Sequence, residues 1–287
     1  MAELTAPHHE VVIENRAGQL QLEWRDLWDY RDLLVLLVRR DFLARYQQTL
    51  LGPLWHLLQP VLTGLLFALI FARFAGIPTD GVPAPLFYLC GLLGWNYFAQ
   101  NVVAGGGTFL NNQQLFSKVW FPRLVVPIST IATNLVTVAL QFLPFLAFFV
   151  YYKFFSSDAA TVHLTWRALL APLPLLHIAA LSLGIGLWIA ASSARYRDAI
   201  HLVQYLVQLW MFATPIIYPL SHVPERWAWL IRANPMSAPI ETLRWSLLGR
   251  GTLDAAALGW SIGLTVVLLF SGAVAFQNSA RSAVDTV

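Results

Sequence analysis

The stretch LVVPISTIATNLVTVALQFLPFLAFFVYY, residues 124–152, contains no Asp, Glu, Lys or Arg. A helix rises about 1.5 Å per residue and bilayer hydrocarbon is about 30 Å thick, so about 20 apolar residues cross it. This run is long enough to cross once and too short to cross twice in comfort. Its apolar character is continuous, whereas a strand of a membrane barrel alternates over about 10 residues. Pro127 and Pro144 would damage a soluble helix, but in a membrane bundle neighbouring helices satisfy the freed backbone groups.

Five other stretches are equally free of charge: Tyr46–Ala72, Gly81–Ser117, Ala168–Ala194, Ala199–Pro224 and Ala255–Ala280. Together they predict an all-α integral membrane protein with six transmembrane helices, at about 54–75, 85–109, 124–152, 168–193, 200–219 and 255–277, within a membrane domain covering 47–280. Composition agrees. The chain is 57% hydrophobic and 11% charged, against about 25% charged in a soluble domain. Its net charge of +3 comes with no basic patch of the kind that binds nucleic acid. Cys90 is the only cysteine, which excludes an intramolecular disulfide and a Cys-based metal site.

Arg and Lys set the orientation. Arg16, Arg25, Arg31, Arg39, Arg40 and Arg45 precede the first span, Lys118 and Arg123 lie in the second loop, and Arg195 and Arg197 lie in the fourth. The first loop, Gly76–Ala84, has none. Both termini are therefore expected in the cytoplasm, with 1–22 and 281–287 as tails. The fifth loop runs against the rule, since Arg226, Arg232, Arg244 and Arg250 would lie outside; the first segment is taken to dominate. Met1–Asn15 carries Glu3, Glu10 and Glu14 without an apolar core, unlike a secretory signal peptide.

Residues 23–46 are expected to form an amphipathic interface helix. Trp24, Leu27, Trp28, Leu34, Val35, Val38 and Phe42 recur at three- and four-residue steps against Arg25, Asp26, Asp29, Asp32, Arg39, Arg40, Asp41 and Arg45. Residues 111–123 (NNQQLFSKVWFPR) make a polar break whose Phe116, Trp120 and Phe121 sit beside Lys118 and Arg123. That mixture suits docking into a groove on a cytoplasmic partner, although a plain connection has the same composition. Arg195, Tyr196, Arg197 and Asp198 form the fourth loop. Residues 219–254 read as two short re-entrant helices joined at Asn234-Pro235, and irregular backbone at membrane depth survives only where protein covers it or it lines a wet cavity. This segment is the expected external gate.

Several chemistries are missing. There is no G-x-x-x-x-G-K-[ST] loop to cradle phosphate, so the chain is not expected to hydrolyse ATP itself, and Gly105–Gly107 reads as a close-packing feature. Gly259 and Gly263 form a G-x-x-x-G step, which reads as ordinary helix packing. No catalytic, metal or cofactor site is expected. The spans hold no acidic residue of the kind that relays protons or sodium. Aromatics remain: 12 Trp, 9 Tyr and 18 Phe. Many belong in interfacial belts, but sugar rings also stack their C–H faces on such side chains. Trp95, Tyr97 and Phe98 in the second span, Trp210, Phe212 and Tyr218 in the fifth, and Trp227 and Trp229 in the gate are candidate channel residues. Glu241 and Arg244, in the same gate segment, join them as candidates.

Four strings in order resemble one family. RRDFLARYQQTLLGPLWHLLQP (39–60), SKVWFPR (117–123), RYRD (195–198) and NPMSAPIETLR (234–244) are similar to the corresponding segments of ABC-2-type permeases, in the polysaccharide and polyol-phosphate export branch. The resemblance runs from about Leu22 to Gln277. It implies a homodimer working with two copies of a separate nucleotide-binding ATPase, which would carry the ATP and Mg. The implied cargo is a lipid-linked polysaccharide such as an O-antigen, capsular chain or teichoic acid, moved out across the cytoplasmic (inner) membrane. It further implies ATPase contacts at Arg39–Tyr46 and Gln113–Arg123, hence at Arg39, Arg40, Asp41, Arg45, Tyr46, Gln113, Phe116, Lys118, Trp120, Phe121, Pro122 and Arg123. The external helices at Pro224–Leu248 would close the mouth of an aromatic-lined channel. Two alternatives are a small-molecule or drug exporter of the same superfamily and a membrane-embedded glycosyltransferase. The latter would need grouped carboxylates, whereas Asp198, Glu241 and Asp254 are isolated and lie on opposite sides of the expected topology.

Overall fold

A computed structural model describes residues 28–47, 52–118, 121–156 and 165–282. Among them all regular structure is helical. The elements are α1 (Arg31–Tyr46), α2 (Trp55–Phe67), α3 (Ala84–Gly106), α4 (Thr108–Asn111), α5 (Gln113–Lys118), α6 (Val125–Phe154), α7 (Pro172–Ser193), α8 (Ala199–Phe212), α9 (Glu225–Ala233), α10 (Ser237–Leu248) and α11 (Ala255–Ser282). Each of the six expected spans falls on α2, α3, α6, α7, α8 or α11. Among the described residues four stretches are long and apolar enough to cross a membrane: Trp55–Phe74, Val125–Phe154, Trp166–Ser193 and Ala255–Ala280.

The fifth span departs from expectation. Helix α8 stops at Phe212 after 14 residues, about 21 Å at 1.5 Å per residue, and residues 213–219 continue as turns. The first span also changes character, since α2 runs on into a π-helical segment, Ala68–Phe74, a widening often found where helices serve function.

Helix α3 is the centre of the bundle. Leu86–Trp95 is buried along its whole circumference, and α2, α6, α7, α8 and α10 all pack on it. Small residues set the closest crossings. A Cβ on Gly105 would lie 3.4 Å from Gly186 Cα, and one on Gly272 would lie 2.6 Å from the Gly184 carbonyl oxygen. Gly105–Gly107 thus acts in packing, as its composition suggested. A Cβ on Gly259 or Gly263 would meet no described residue within 4 Å, so that step packs on no other described helix of this chain. It lies on an outward face of α11, and the pair that brings α11 against α7 is Gly272 with Gly184.

Helix α1 lies against the start of α6. Leu37 is buried there with Phe121, Val125 and Val126. Trp28, Val35, Leu36 and Leu43 stay exposed, so the helix is apolar on two sides, one for the bundle and one left over. Trp24 and Leu27 of the expected interface helix lie outside the described residues.

Candidate functional site

At one end of the bundle stand α1, α4, α5, the loop after α7 and the end of α11. Phe109 stacks on Phe276 with centroids 4.6 Å apart, and Phe116 stacks on Phe121 at 5.7 Å. The Arg123 guanidinium lies 5.7 Å over Phe116 and donates to the Ala280 carbonyl, capping the end of α11. Burial lowers the pKa of Arg123 from its ordinary value. Phe121 is buried and Phe116 and Arg123 are half-buried, so the three hold the break against the bundle.

The outward side of this end is built from other members of the expected set. Arg39, Arg40, Arg45, Gln113 and Lys118 are exposed, as are Arg195, Tyr196, Arg197 and Asp198. Arg40 Nε donates to Asp41 Oδ1 at 2.8 Å, and Arg195 lies over Tyr196 at 5.5 Å. Pro122 is half-buried. Trp120 and the Tyr46 side chain lie outside the described residues.

The opposite end gathers the first loop, the turns after α8, and α9 and α10. Glu241 and Arg244, expected at the gate, are sealed in the core. Arg244 donates through Nη1 to Glu241 Oε1 at 2.9 Å and to the Pro215 carbonyl, and through Nη2 to the Ile216 carbonyl at 2.8 Å. Its guanidinium sits 3.9 Å over the Phe87 ring. Glu241 Oε2 accepts from the Thr252 N–H at 3.2 Å. A buried charge needs such partners, because desolvation costs several kcal/mol per ion. The pair pins two irregular segments, 213–218 and 249–254, to α10, which ends at Gly249 in the left-handed region (φ 66°) that glycine adopts without strain.

Trp95, Tyr97 and Phe98 are also core residues. Their ring faces are covered by this chain's own helices, so the sugar stacking expected of them has no exposed surface here. Phe98 meets Trp210 edge to face at 5.2 Å. Trp210 Nε1 donates to Asn234 Oδ1 at 3.0 Å, and Tyr218 is half-buried. Phe212, Trp227 and Trp229 are exposed.

Sequence reasoning missed three polar features. Asn234 joins α8 to the start of α10, accepting from Trp210 and from the Met236 N–H while donating to the Ala213 carbonyl and Thr214 Oγ1, each at 3.0 Å. Asn134 donates to Asn101 at 2.7 Å and Asn101 to Ser182 at 3.2 Å, linking α6, α3 and α7 at membrane depth. The third is on α8. His201, Gln204, Tyr205, Gln208 and Phe212 are all exposed, and at 3.6 residues per turn they share roughly 100° of arc. Leu202, Leu206 and Leu209 occupy the adjoining exposed face, and Val207 is buried. The three- and four-residue spacing of these polar residues was the available signal, hidden because only charged residues were counted as breaks in the span.

The model of the family described as ABC-2 type transporter matches residues 32–248. An O-antigen export system permease protein RfbA of Myxococcus xanthus is 30% identical over 266 residues, covering 92% of this chain and 98% of that protein. An O-antigen export system permease protein RfbA of Klebsiella pneumoniae is 28% identical over 225 residues, covering 78% and 82%. A polysialic acid transport protein KpsM of Escherichia coli is 25% identical over 246 residues, covering 83% and 90%.

Proposed function

Because the chain belongs to the ABC-2 type transporter family, we propose that it is the channel-forming permease subunit of a polysaccharide exporter, driven by a separate ATPase. The cargo is a lipid-linked polysaccharide leaving across the cytoplasmic membrane, as the names of its O-antigen and polysialic acid relatives suggest. Two copies of the chain form the path, and two ATPase subunits bind its cytoplasmic end, where they hold ATP and Mg. Both termini are cytoplasmic in this reading.

The observation that carries it is the exposed stripe of α8. Two glutamines, a histidine and a tyrosine facing lipid would leave hydrogen-bonding groups unsatisfied in hydrocarbon, and polar side chains in spans face bundle interiors or wet cavities instead. Uncharged amides beside aromatic rings suit a glycan, whose hydroxyls need exchangeable partners and whose ring faces are apolar. The first span supports the same arrangement. Leu62, Leu66, Leu69 and Phe74 are exposed, and α2 and α8 both pack on α3, leaving two helices with open faces for a second copy.

Coupling to the ATPase falls to the exposed set, Arg39, Arg40, Arg45, Gln113, Lys118, Arg195 and Arg197. Movement of the motor on these groups would tilt the bundle through α1 and the Phe116–Phe121–Arg123 anchor. The buried native cysteine, Cys90, permits a direct test. Single cysteines at Gln204, Tyr205 and Gln208 in the ATPase-bound complex are expected to react with a water-soluble maleimide, and cysteines at Leu206 and Leu202 are not. Labelling of the leucine face alone would overturn the proposed path.

A further inference from the structure

At the external end, Trp229 of α9 and Trp260 of α11 wall a groove of about 600 Å³, with Glu225, Arg232 and Asp254 also lining it. We infer that this groove is a sugar-binding site that takes one uncharged pyranose unit of the chain as it emerges. The inference rests on the function proposed above and adds a site to it, away from the α8 stripe.

Three observations lead to a sugar. First, the two indoles come from different helices, line the same groove and are both exposed, Trp229 at 65% and Trp260 at 54%, so aromatic surface is open to the apolar C–H side of a pyranose. Second, the polar groups are already fixed. Asp254 caps α11, accepting from the Ala256 and Ala257 N–H groups at 3.0 and 3.2 Å through Oδ1. Its Oδ2 lies 3.4 Å from Arg232 Nε, and the guanidinium of Arg232 carries further N–H donors suited to hydroxyls. The Trp260 indole is oriented by its own donation to the Ala233 carbonyl at 3.0 Å. A site whose groups are held before binding loses less entropy when a ligand arrives. Third, the charges select the ligand. Two carboxylates against one guanidinium leave the groove net negative, which disfavours phosphate headgroups and acidic sugars and leaves neutral hydroxyl-bearing rings as the fitting class. The volume lies within the range of small-molecule sites, about 300–1,000 Å³, and accommodates one or two such rings.

The test uses the full chain in cells that export their own glycan. A photoreactive benzoylphenylalanine replaces Ala228 or, separately, Ala256, both of which line the groove, and a third strain carries it at Phe212 on α8. Irradiation during export is expected to give glycan adducts at all three positions, identified by mass and by glycosidase sensitivity. Trp260→Ala is expected to lower the groove adducts by at least about fivefold, as loss of a stacking ring does elsewhere. Trp260→Phe, which keeps a ring but loses the bond to Ala233, is expected to retain them; a purely structural role for that bond would fail in both variants. Glycan at Phe212 with only phospholipid or nothing at Ala228 and Ala256 overturns the groove and leaves the function standing. Groove adducts indifferent to Trp260→Ala overturn the stacking role. Glycan at none of the three positions, with surface glycan unchanged after deletion of the gene, overturns the function itself.

Discussion

Arg244 and Glu241 meet at 2.9 Å with side chains 2% and 3% exposed, one turn apart on a helix that sequence reasoning assigned to an external gate. The pair is a clamp rather than a contact surface. Its remaining bonds run to the Pro215 and Ile216 carbonyls and to the Thr252 N–H, so it holds the turn after α8 and the loop before α11 to one short helix.

Removing one member leaves an uncompensated charge. Glu241→Met and Arg244→Met are each expected to destabilise the detergent-solubilised protein by about 3–5 kcal/mol, and the Glu241→Met/Arg244→Met pair by much less. A double-mutant cycle on thermal unfolding measures the coupling; additive effects would show that the pair does not act as a unit.

Asn234 ties four groups, and Asn234→Ala strands the Trp210 indole N–H and the Met236 N–H. The expected loss is about 1–3 kcal/mol for the unsatisfied groups. Hydrogen exchange should rise over residues 210–237 and stay unchanged in α6. Uniform exchange across the bundle would contradict a local role.

Sequence and structure agree where periodicity and charge decide the outcome. Helices α2, α6, α7 and α11 were legible because a charge-free run of about 20 residues has few other fates. The end of α8 was not, because the run 199–224 is uninterrupted by charge yet stops being helical at Phe212, where the Asn234 amide takes up the Ala213 carbonyl. Burial of Trp95, Tyr97 and Phe98 was likewise unreadable. A tryptophan in a span looks the same in sequence whether it faces a path, lipid or α3's neighbours. The positions of Glu241 and Arg244 three residues apart on one helix were readable, but the carbonyls that complete their shell come from a distant loop.

Exposed and half-buried residues at the α1 end of the bundle should separate cleanly. Arg39→Glu/Arg40→Glu and Arg195→Glu/Arg197→Glu are expected to leave thermal stability within about 0.5 kcal/mol, as surface changes do, while reducing co-purification with the ATPase. Arg123→Glu is expected to unfold the end of α11, seen as lost protection over 273–282, before any effect on the partner can be read. Full stability of Arg123→Glu would refute the anchor.

On α8 the two exposed faces should differ in what they tolerate. Tyr205→Leu with Gln208→Leu is expected to keep the protein folded and membrane-inserted but cut surface polysaccharide by at least about tenfold, since a leucine wall cannot exchange hydrogen bonds with a hydrated chain. Leu206→Asn is expected to spare export and lower stability. The reverse pattern would place the path on the other face.

The most direct measurement of the exporter account follows the glycan itself after deletion of this gene, comparing polysaccharide on the cell surface with lipid-linked polysaccharide retained inside. Surface polysaccharide is expected to vanish while full-length lipid-linked chains accumulate on the cytoplasmic side, with wild-type protein restoring both. Unchanged surface polysaccharide, or its loss without any internal accumulation, would contradict a role in export.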